Sequence, residues 1–500
     1  MTSLRSQLLR KDGGTSRPAL LLVAGRSAGF AASFAIPIVL ARTFDPGAFG
    51  TYKQLFLVYT TLYGLAQLGA AESLYYFVPR SSGKAGRCVG NALATLALMG
   101  ALCFAVLYLT RTTIAAWLTN ADIAGYLPFI GVFLAFTLVT AAFEIVMVSR
   151  NQHLTAARTY AASDLIRTVL FILPALAIGT LRAVLVGAAG FAALRLGAML
   201  TYLWREFGGE LKLDAALWRN QLAYALPFAL AVAIDVIQAN FHQWAVASNF
   251  DAATFAIYAV GCLQIPLVDV VCSSTANVMM VRMAEGEGEH QRSALSLWHD
   301  TTARLALLIF PLAAFFLLNA HAVITFLFTN RYLASVQIFR VWCLMILPSV
   351  FAVDAVLRVY GQTRVLVVLN AVRLALIAGL IGWFMSTFGL VGAVLVTLVA
   401  TSLVKAAAVV RIARLMNVSV ADVLPWRRLA AAAVHAGIAV VPAWWVMRLP
   451  SLPLLAALTL SAAAYGATFA AIWYLRGPWK RPADRSTVAP GLSACPSEEA

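Results

Sequence analysis

Charge is scarce in this chain: 12% of its 500 residues are Asp, Glu, Lys or Arg, against 62% that are apolar. A water-exposed surface needs roughly a quarter of its residues charged, so the soluble domains that the length alone suggests are excluded. Acid is scarcer than base, with 21 Asp and Glu facing 37 Lys and Arg for a net charge of +16. Cysteine is sparse and scattered. Cys88, Cys103, Cys262, Cys272, Cys343 and Cys495 lie mostly in apolar runs, without a CxxC or a paired Cys/His spacing, so neither a disulfide framework nor a metal site is read. Long polar connections are missing too. The longest, about 111–123 and 281–304, are too short to fold as catalytic domains, so any chemistry belongs among the apolar segments, with no cofactor motif among them. What is present is a mean hydropathy of +0.83 and a pI near 9.9. Together these argue against a free nucleic-acid binder and for a basic, all-α polytopic membrane protein.

Apolar runs of about 20 residues, the length needed to cross a bilayer, predict fourteen spans: 18–41, 49–77, 88–110, 124–149, 156–179, 183–204, 221–246, 253–280, 305–328, 334–357, 365–386, 388–410, 429–447 and 453–475. The first carries Arg26 and is too long for a signal peptide, so it reads as a membrane helix. Lys and Arg gather in cytoplasmic loops. With the N-terminus inside, the inside segments hold 25 of them and the outside loops five, Arg42, Arg111, Arg182, Arg331 and Arg448. That alternation predicts cytoplasmic N- and C-termini.

A short motif repeats. Ala41, Phe44, Asp45, Phe49 and Tyr52 recur as Ala247, Phe250, Asp251, Phe255 and Tyr258. Both copies fall in the turn after an odd span, which predicts a duplicated six-helix unit. The expected organisation is a cytoplasmic segment 1–17, a first lobe 18–204, a cytoplasmic linker 205–220, a second lobe 221–410, a loop with two further spans over 411–475, and a disordered cytoplasmic tail 476–500. An even number of spans per unit relates the lobes by an axis along the membrane normal, with a substrate path between them.

The stretches Ala41-Arg42, Phe44-Asp45-Pro46, Phe49-Gly50-Thr51-Tyr52 and Ser73 to Arg80 resemble the start of Wzx-type polysaccharide or lipid-linked oligosaccharide flippases of the MOP superfamily, relatives of MATE multidrug exporters. Phe328 to Tyr332, Phe339-Arg340, Gly361-Gln362-Thr363 and Gly389 to Ala393 are similar to later parts of that pattern. The resemblance implies fourteen helices in two lobes around a cation-lined cavity. It implies outward flipping of an isoprenoid-diphosphate-linked sugar across the bacterial inner membrane, without enzymatic chemistry. The implied partners are the lipid-linked oligosaccharide, membrane lipids and, as candidates, polysaccharide polymerase and export machinery, with no nucleic acid. A MATE-type cation antiporter is one alternative. A membrane-embedded polymerase or acyltransferase is another, although neither a large outside loop nor a His/Asp constellation is visible.

Thirteen charges fall inside the expected spans, where an ionised group is costly and faces a cavity or a partner. Arg26, in span 1 beside Gly25, Ser27 and Gly29, is the sharpest candidate, since a guanidinium donates paired hydrogen bonds to phosphate oxygens. Lys53, Arg195, Arg340 and Arg373 complete the expected substrate-binding set, each with the alternative of an acidic partner or of reaching the interface. Asp235 and Asp269, in the second lobe, are the expected ion-coupling residues, with interhelical hydrogen bonding as the alternative. Asp164 and Arg167, three apart, read as a local ion pair. Lys405, Glu72 and Glu144, near span ends, read as reaching water. His242 and His435 read as packed.

Overall fold

A computed structural model describes residues 29, 32–81, 83–285, 291–449 and 452–475. Segment 1–17, the first part of span 1 with Arg26, and tail 476–500 lie outside the described residues. Among those described, every regular element is a helix. Eleven helices are long and apolar enough to cross a membrane, and they correspond to spans 3 to 7 and 9 to 14. Span 1 is described only over α1 (Ala32–Thr43). Spans 2 and 8 are broken.

Span 2 consists of α2 (Pro46–Ala66) and α3 (Ala70–Arg80). Spans 3 to 6 follow as α4 (Ala85–Leu109), a short surface helix α5 (Arg111–Trp117), α6 (Ile123–Val139) with α7 (Phe143–Ser149), α8 (His153–Ala177) and α9 (Leu181–Phe207). Span 7 is the 35-residue α10 (Ala215–Asn249). Span 8 consists of α11 (Ala252–Gly261) and α12 (Pro266–Glu285), and span 9 is α13 (Gln291–Phe328). Span 10 divides into α14 (Ser335–Leu344) and α15 (Val353–Val359) around a 3-10 turn. The chain ends with α16 (Thr363–Phe388), α17 (Leu390–Leu415), α18 (Trp426–Met447) and α19 (Leu454–Leu475). Spans 2, 4, 8 and 10, expected to be continuous, are therefore interrupted. They are the second and fourth of each group of six. The expected split after Phe388 is a turn on Gly389, whose φ of 59° is the left-handed conformation that glycine adopts without a Cβ clash.

The repeated motif has one structural role at both places. Asp45 accepts hydrogen bonds from the Gly47 and Ala48 amides and caps α2, while Asp251 accepts from Thr254 and caps α11. Ala41 and Ala247, Phe49 and Phe255, and Tyr52 and Tyr258 are all buried. Capping fixes where each helix begins, and the buried side chains of both copies belong to one continuous apolar core.

That packing joins the two halves of the chain. α2 lies along α11, and a Cβ on Gly50 would fall 1.7 Å from the Ala252 carbonyl oxygen. Only a glycine allows that backbone approach. Around the crossing, Arg42 donates to the Leu327 carbonyl at 3.0 Å and to that of Phe326, and Arg331 donates to the Phe44 carbonyl at 3.4 Å. Gln54 donates to the carbonyls of Leu118 (3.1 Å) and Ala247 (3.4 Å) and accepts from Asn120, while Thr119 donates to the Phe250 carbonyl at 2.9 Å. This is the Phe44 end of the bundle.

At the opposite, linker end, α10 is tied to the first half instead. Asp214 caps α10 through the Leu217 amide, and Arg87 lies 3.3 Å from its carboxylate. These two contacts, the amide foremost, hold the Asp214 carboxyl below the usual carboxylate range. Asn91 exchanges hydrogen bonds with the Asp214 backbone, Gln221 donates to the Cys88 carbonyl and Trp218 to Thr95. The last pair of helices, α18 and α19, packs on α13. Ser461 there donates to the Ala443 carbonyl at 3.3 Å, and the Tyr465 hydroxyl donates to the Ala436 carbonyl at 3.1 Å.

Gly50→Ala is expected to destabilise the protein by about 1–3 kcal/mol, because a backbone atom rather than a movable side chain meets the new methyl. Thermal unfolding in detergent checks this against Gly125→Ala, where nothing lies within 4 Å of the added Cβ; equal melting temperatures for the two variants would contradict it.

Candidate functional site

The charges inside the bundle fall into two groups, one in each half. In the first half, Arg167 pairs with Asp164 at 2.8 Å within α8 and reaches the Ser33 hydroxyl on α1. The i, i+3 pair expected from sequence is present. Arg195 on α9 pairs with Glu144 on α7 at 2.7 Å, with side chains 18% and 2% exposed. Glu144, expected to reach water near a span end, is instead buried against a cation from a neighbouring helix. Only one of its oxygens is satisfied, since Glu144 Oε1 is buried without a hydrogen-bond partner, as is Glu72 Oε2 on α3. A run of aromatic contacts, Tyr52 to Phe56 to Tyr59 to Tyr63 along α2 with Phe133 and Phe171 alongside, lines this region.

In the second half, Asp269 on α12, Asp354 on α15 and Lys405 on α17 line one cavity of about 440 Å3, together with Cys272, Ser349 and Phe351. Its position follows from the break in span 10. Ending α14 at Leu344 and restarting at Val353 frees backbone carbonyls, and Lys405 donates to one of them, the Phe351 oxygen, at 3.1 Å. Lys405 therefore does not reach out to the interface as expected; its ammonium closes a gap in the neighbouring span. Arg373 on α16 lies within electrostatic range of Asp235 and Asp354, and its Nε is buried without a hydrogen-bond partner. Gln238, one turn from Asp235 on α10, donates to the Asn370 carbonyl at 2.8 Å and so holds α10 on α16. The same Lys405 and Phe351 also border a second, apolar cavity of about 750 Å3 between α13, α17 and α18.

The candidates read from sequence are thus distributed as follows. Asp235, Asp269 and Arg373 belong to the second-half group, Arg195 to the first-half group. Lys53 lies near the Phe44 end, its ammonium 5.5 Å from the Phe49 ring centre, within electrostatic range of Cys262. Arg340 sits exposed on α14. Arg26 lies outside the described residues. Sequence reasoning did not select Asp354 or Ser349, and it gave Lys405 and Glu144 another place. The available signal was the pair of short apolar runs on either side of Leu347-Pro348, which marks a broken span. His242, buried, meets the Tyr258 hydroxyl at 2.6 Å and is packed as expected. Among the described residues, no group of three or more His, Cys, Asp or Glu is arranged to hold a metal ion.

An arrangement of this kind can bind ions and polar groups inside an apolar bundle. Lys53, Arg340 and Arg373 have no carboxylate at ion-pair distance among the described residues, so part of the positive charge remains available to an anion. The acids of the 440 Å3 cavity share it with Lys405, and Asp354 also lies within electrostatic range of Arg373.

Comparison with known proteins identifies a family and a fold. The sequence model of a family described as "Polysaccharide biosynthesis protein" matches residues 39–337. No curated protein matches the chain by sequence. Among solved structures, the lipid II flippase MurJ in an inward closed conformation superposes with a TM-score of 0.69 at 11% identity, covering 91% of this chain and 99% of that one. A MOP superfamily transporter from Pyrococcus furiosus superposes at 0.55 and 12% identity, covering 80% and 95%. An outward-facing multidrug resistance MATE family transporter superposes at 0.55 and 11% identity, with the same coverage. At these identities the likeness establishes the fold, that of MOP superfamily transporters.

Arg195→Met leaves Glu144 as an unpaired buried carboxylate and is expected to destabilise by about 3–5 kcal/mol. Adding Glu144→Leu should return most of that loss. A double-mutant cycle on melting temperature checks it, and additive effects of the two substitutions would remove the pair from the account.

Proposed function

The chain belongs to the polysaccharide biosynthesis protein family, whose model spans residues 39–337, and on that premise we propose that it is a transporter rather than an enzyme. Its substrate is an isoprenoid-diphosphate-linked oligosaccharide, moved from the inner to the outer leaflet of a bacterial inner membrane. The observation that carries this reading is the pair of part-buried intramembrane cations without a carboxylate at ion-pair distance among the described residues, Lys53 and Arg373. An uncompensated cation inside an apolar bundle is costly, and a diphosphate entering the space between the halves offsets that cost.

In this reading the two lobes, 18–204 and 221–410, move against each other about the space between them, while the lipid tail stays in the bilayer. The Phe44 end faces outside and the linker end faces the cytoplasm, a reading supported by the Lys and Arg distribution of the loops. Arg26, Lys53, Arg195, Arg340 and Arg373 are the substrate-side cations, and Asp235 or Asp269 binds or releases a coupling ion. The membrane potential, worth about 2.3 kcal/mol per charge per 100 mV, assists outward movement of an anionic head group. A polymerase and export machinery are the proposed downstream partners.

A second reading, a MATE-type cation exporter, is favoured by one observation, the two acids Asp269 and Asp354 on one cavity. The substrate separates the two, because a cationic drug needs those acids free whereas a diphosphate needs Arg373.

A deletion strain is expected to accumulate lipid-linked oligosaccharide in the inner leaflet, measured by leaflet-selective labelling; accumulation confined to the outer leaflet would favour a polymerase. At equal membrane abundance, Arg26→Gln and Arg373→Gln should lower export roughly ten- to a hundredfold, the equivalent of about 1.5–3 kcal/mol for a charged hydrogen bond. The Lys replacements should retain part of it. Undiminished export by both Gln variants, with loss of organic-cation efflux in Asp269→Asn, would transfer support to the exporter reading.

A further inference from the structure

A third cavity, again of about 440 Å3, lies at the Phe44 end and has no part in the proposed transport path. The end of α1, the start of α2, the α5–α6 connection and the α8–α9 turn line it, together with Ala252 at the start of α11. Its size is that of a small-molecule site. Unlike the 750 Å3 cavity, its lining is mostly polar, with Asp45, Thr51, Asn120, Asp122, Tyr126 and Thr180 contributing.

The walls are fixed by their own hydrogen bonds. The Asn120 side chain donates to the Thr51 hydroxyl at 2.9 Å and to the Gln54 side-chain oxygen at 2.8 Å, and its oxygen accepts from the Asp122 amide at 3.2 Å. Asp45 Oδ2 accepts from the Gly47 and Ala48 amides at 2.9 and 3.1 Å. A ligand entering here has little protein to order, which lowers the cost of binding.

Several polar groups remain unused. Asp122 stands at the start of α6 without capping it, and neither its carboxylate nor the Tyr126 hydroxyl has a hydrogen-bond or ion-pair partner among the described residues. Asp45 bonds through Oδ2 alone, which leaves Oδ1 to accept. The Thr180 hydroxyl accepts the Ala183 amide at 3.3 Å and keeps its own proton to donate.

Charge and shape then select among ligands. No Lys or Arg lines the cavity. The neighbouring arginines are engaged elsewhere: Arg42 and Arg331 donate to backbone carbonyls, and Arg182 lies 5.7 Å from the Phe129 ring centre. Two carboxylates without a cation repel a phosphate, and a polar lining gives an acyl chain no seat. Among the described residues, no third His, Cys, Asp or Glu joins the two acids to hold a metal ion. What fits is a neutral ligand rich in hydroxyl protons, which the carboxylates accept, with Tyr126 supplying an apolar ring beside its hydroxyl. A sugar residue has that composition.

We propose that this cavity, through Asp45, Asp122, Tyr126 and Thr180, is a binding site for a neutral sugar residue of the carried glycan, separate from the cations that take the diphosphate. The identity of that glycan, and the placement of the cavity on the outer face, rest on the transport reading given above.

The test uses the full-length protein in nanodiscs and saturation-transfer NMR. The probes are the methyl glycosides of glucose, galactose, mannose and N-acetylglucosamine, and the phosphate-free oligosaccharide that mild acid releases from the lipid-linked pool of the deletion strain. Calcium and tetraethylammonium are the alternative ligands. At least one neutral sugar is expected to receive saturation from the wild type. Asp122→Ala should weaken its binding about tenfold and Tyr126→Phe about threefold, as loss of a charged and of a neutral hydrogen bond, with both variants melting as the wild type does. Failure of every neutral sugar to bind, binding unchanged in both variants, or Asp122-dependent binding of calcium or tetraethylammonium in place of sugar would overturn the site. Sugar binding without exposure of lipid-linked oligosaccharide in vesicles would remove the transport reading and leave the site standing; exposure without sugar binding would do the reverse.

Discussion

The two halves of the chain meet backbone to backbone. Gly50 lets α2 lie against the Ala252 carbonyl, and the hydrogen bonds of Arg42, Gln54, Thr119 and Arg331 gather around that crossing. Close backbone approach has a consequence for motion: the contact is either made or lost, since packed interfaces do not deform continuously. Any movement that opens the Phe44 end must part α2 from α11. At the linker end, the first turns of α10 are tied to α3 and α4, whereas Gln238 and His242 farther along hold α16 and α11. α10 thus belongs to both halves, and Pro227, inside it, lies between the two sets of contacts.

The fold was largely legible from sequence because hydrophobic length is a strong signal in a membrane, where every backbone group must be satisfied internally. Asp45 and Asp251 were visible as repeated letters and proved to be helix caps. The breaks at Leu68-Gly69 and at 262–265 were not visible, and that at 345–352 was marked only around Leu347-Pro348, since hydropathy is blind to backbone conformation and these turns interrupt spans with little or no charge to mark them. The same divide runs through the charges. Asp164 and Arg167 were readable as a pair because one helix presents both. Glu144 and Arg195 stand 51 residues apart, and Lys405 and Phe351 stand 54 apart. Only the docking of separate helices joins them.

Charge balance gives the two halves different characters. The first half holds its carboxylates against Arg167 and Arg195, with two oxygens left over. The second half gathers three acids, Asp235, Asp269 and Asp354, with Arg373 and Lys405, around a broken span and a cavity. The net charge of +16 says little about either, because most of the excess base lies in the loops. What bears on a substrate is the small number of part-buried cations without a carboxylate at ion-pair distance among the described residues, Lys53 and Arg373, and the fact that they come from both halves.

The most direct measurement is made with purified protein reconstituted into vesicles containing an isoprenoid-diphosphate-linked oligosaccharide, followed by a glycan-cleaving enzyme added outside. In protein-free vesicles only the outer-leaflet half of the lipid is cleaved. The account predicts that protein-containing vesicles expose nearly the whole pool. It also predicts that Arg373→Gln slows this exposure at least tenfold. A cleaved fraction that stays at the outer-leaflet share, with the protein folded and present, would contradict it.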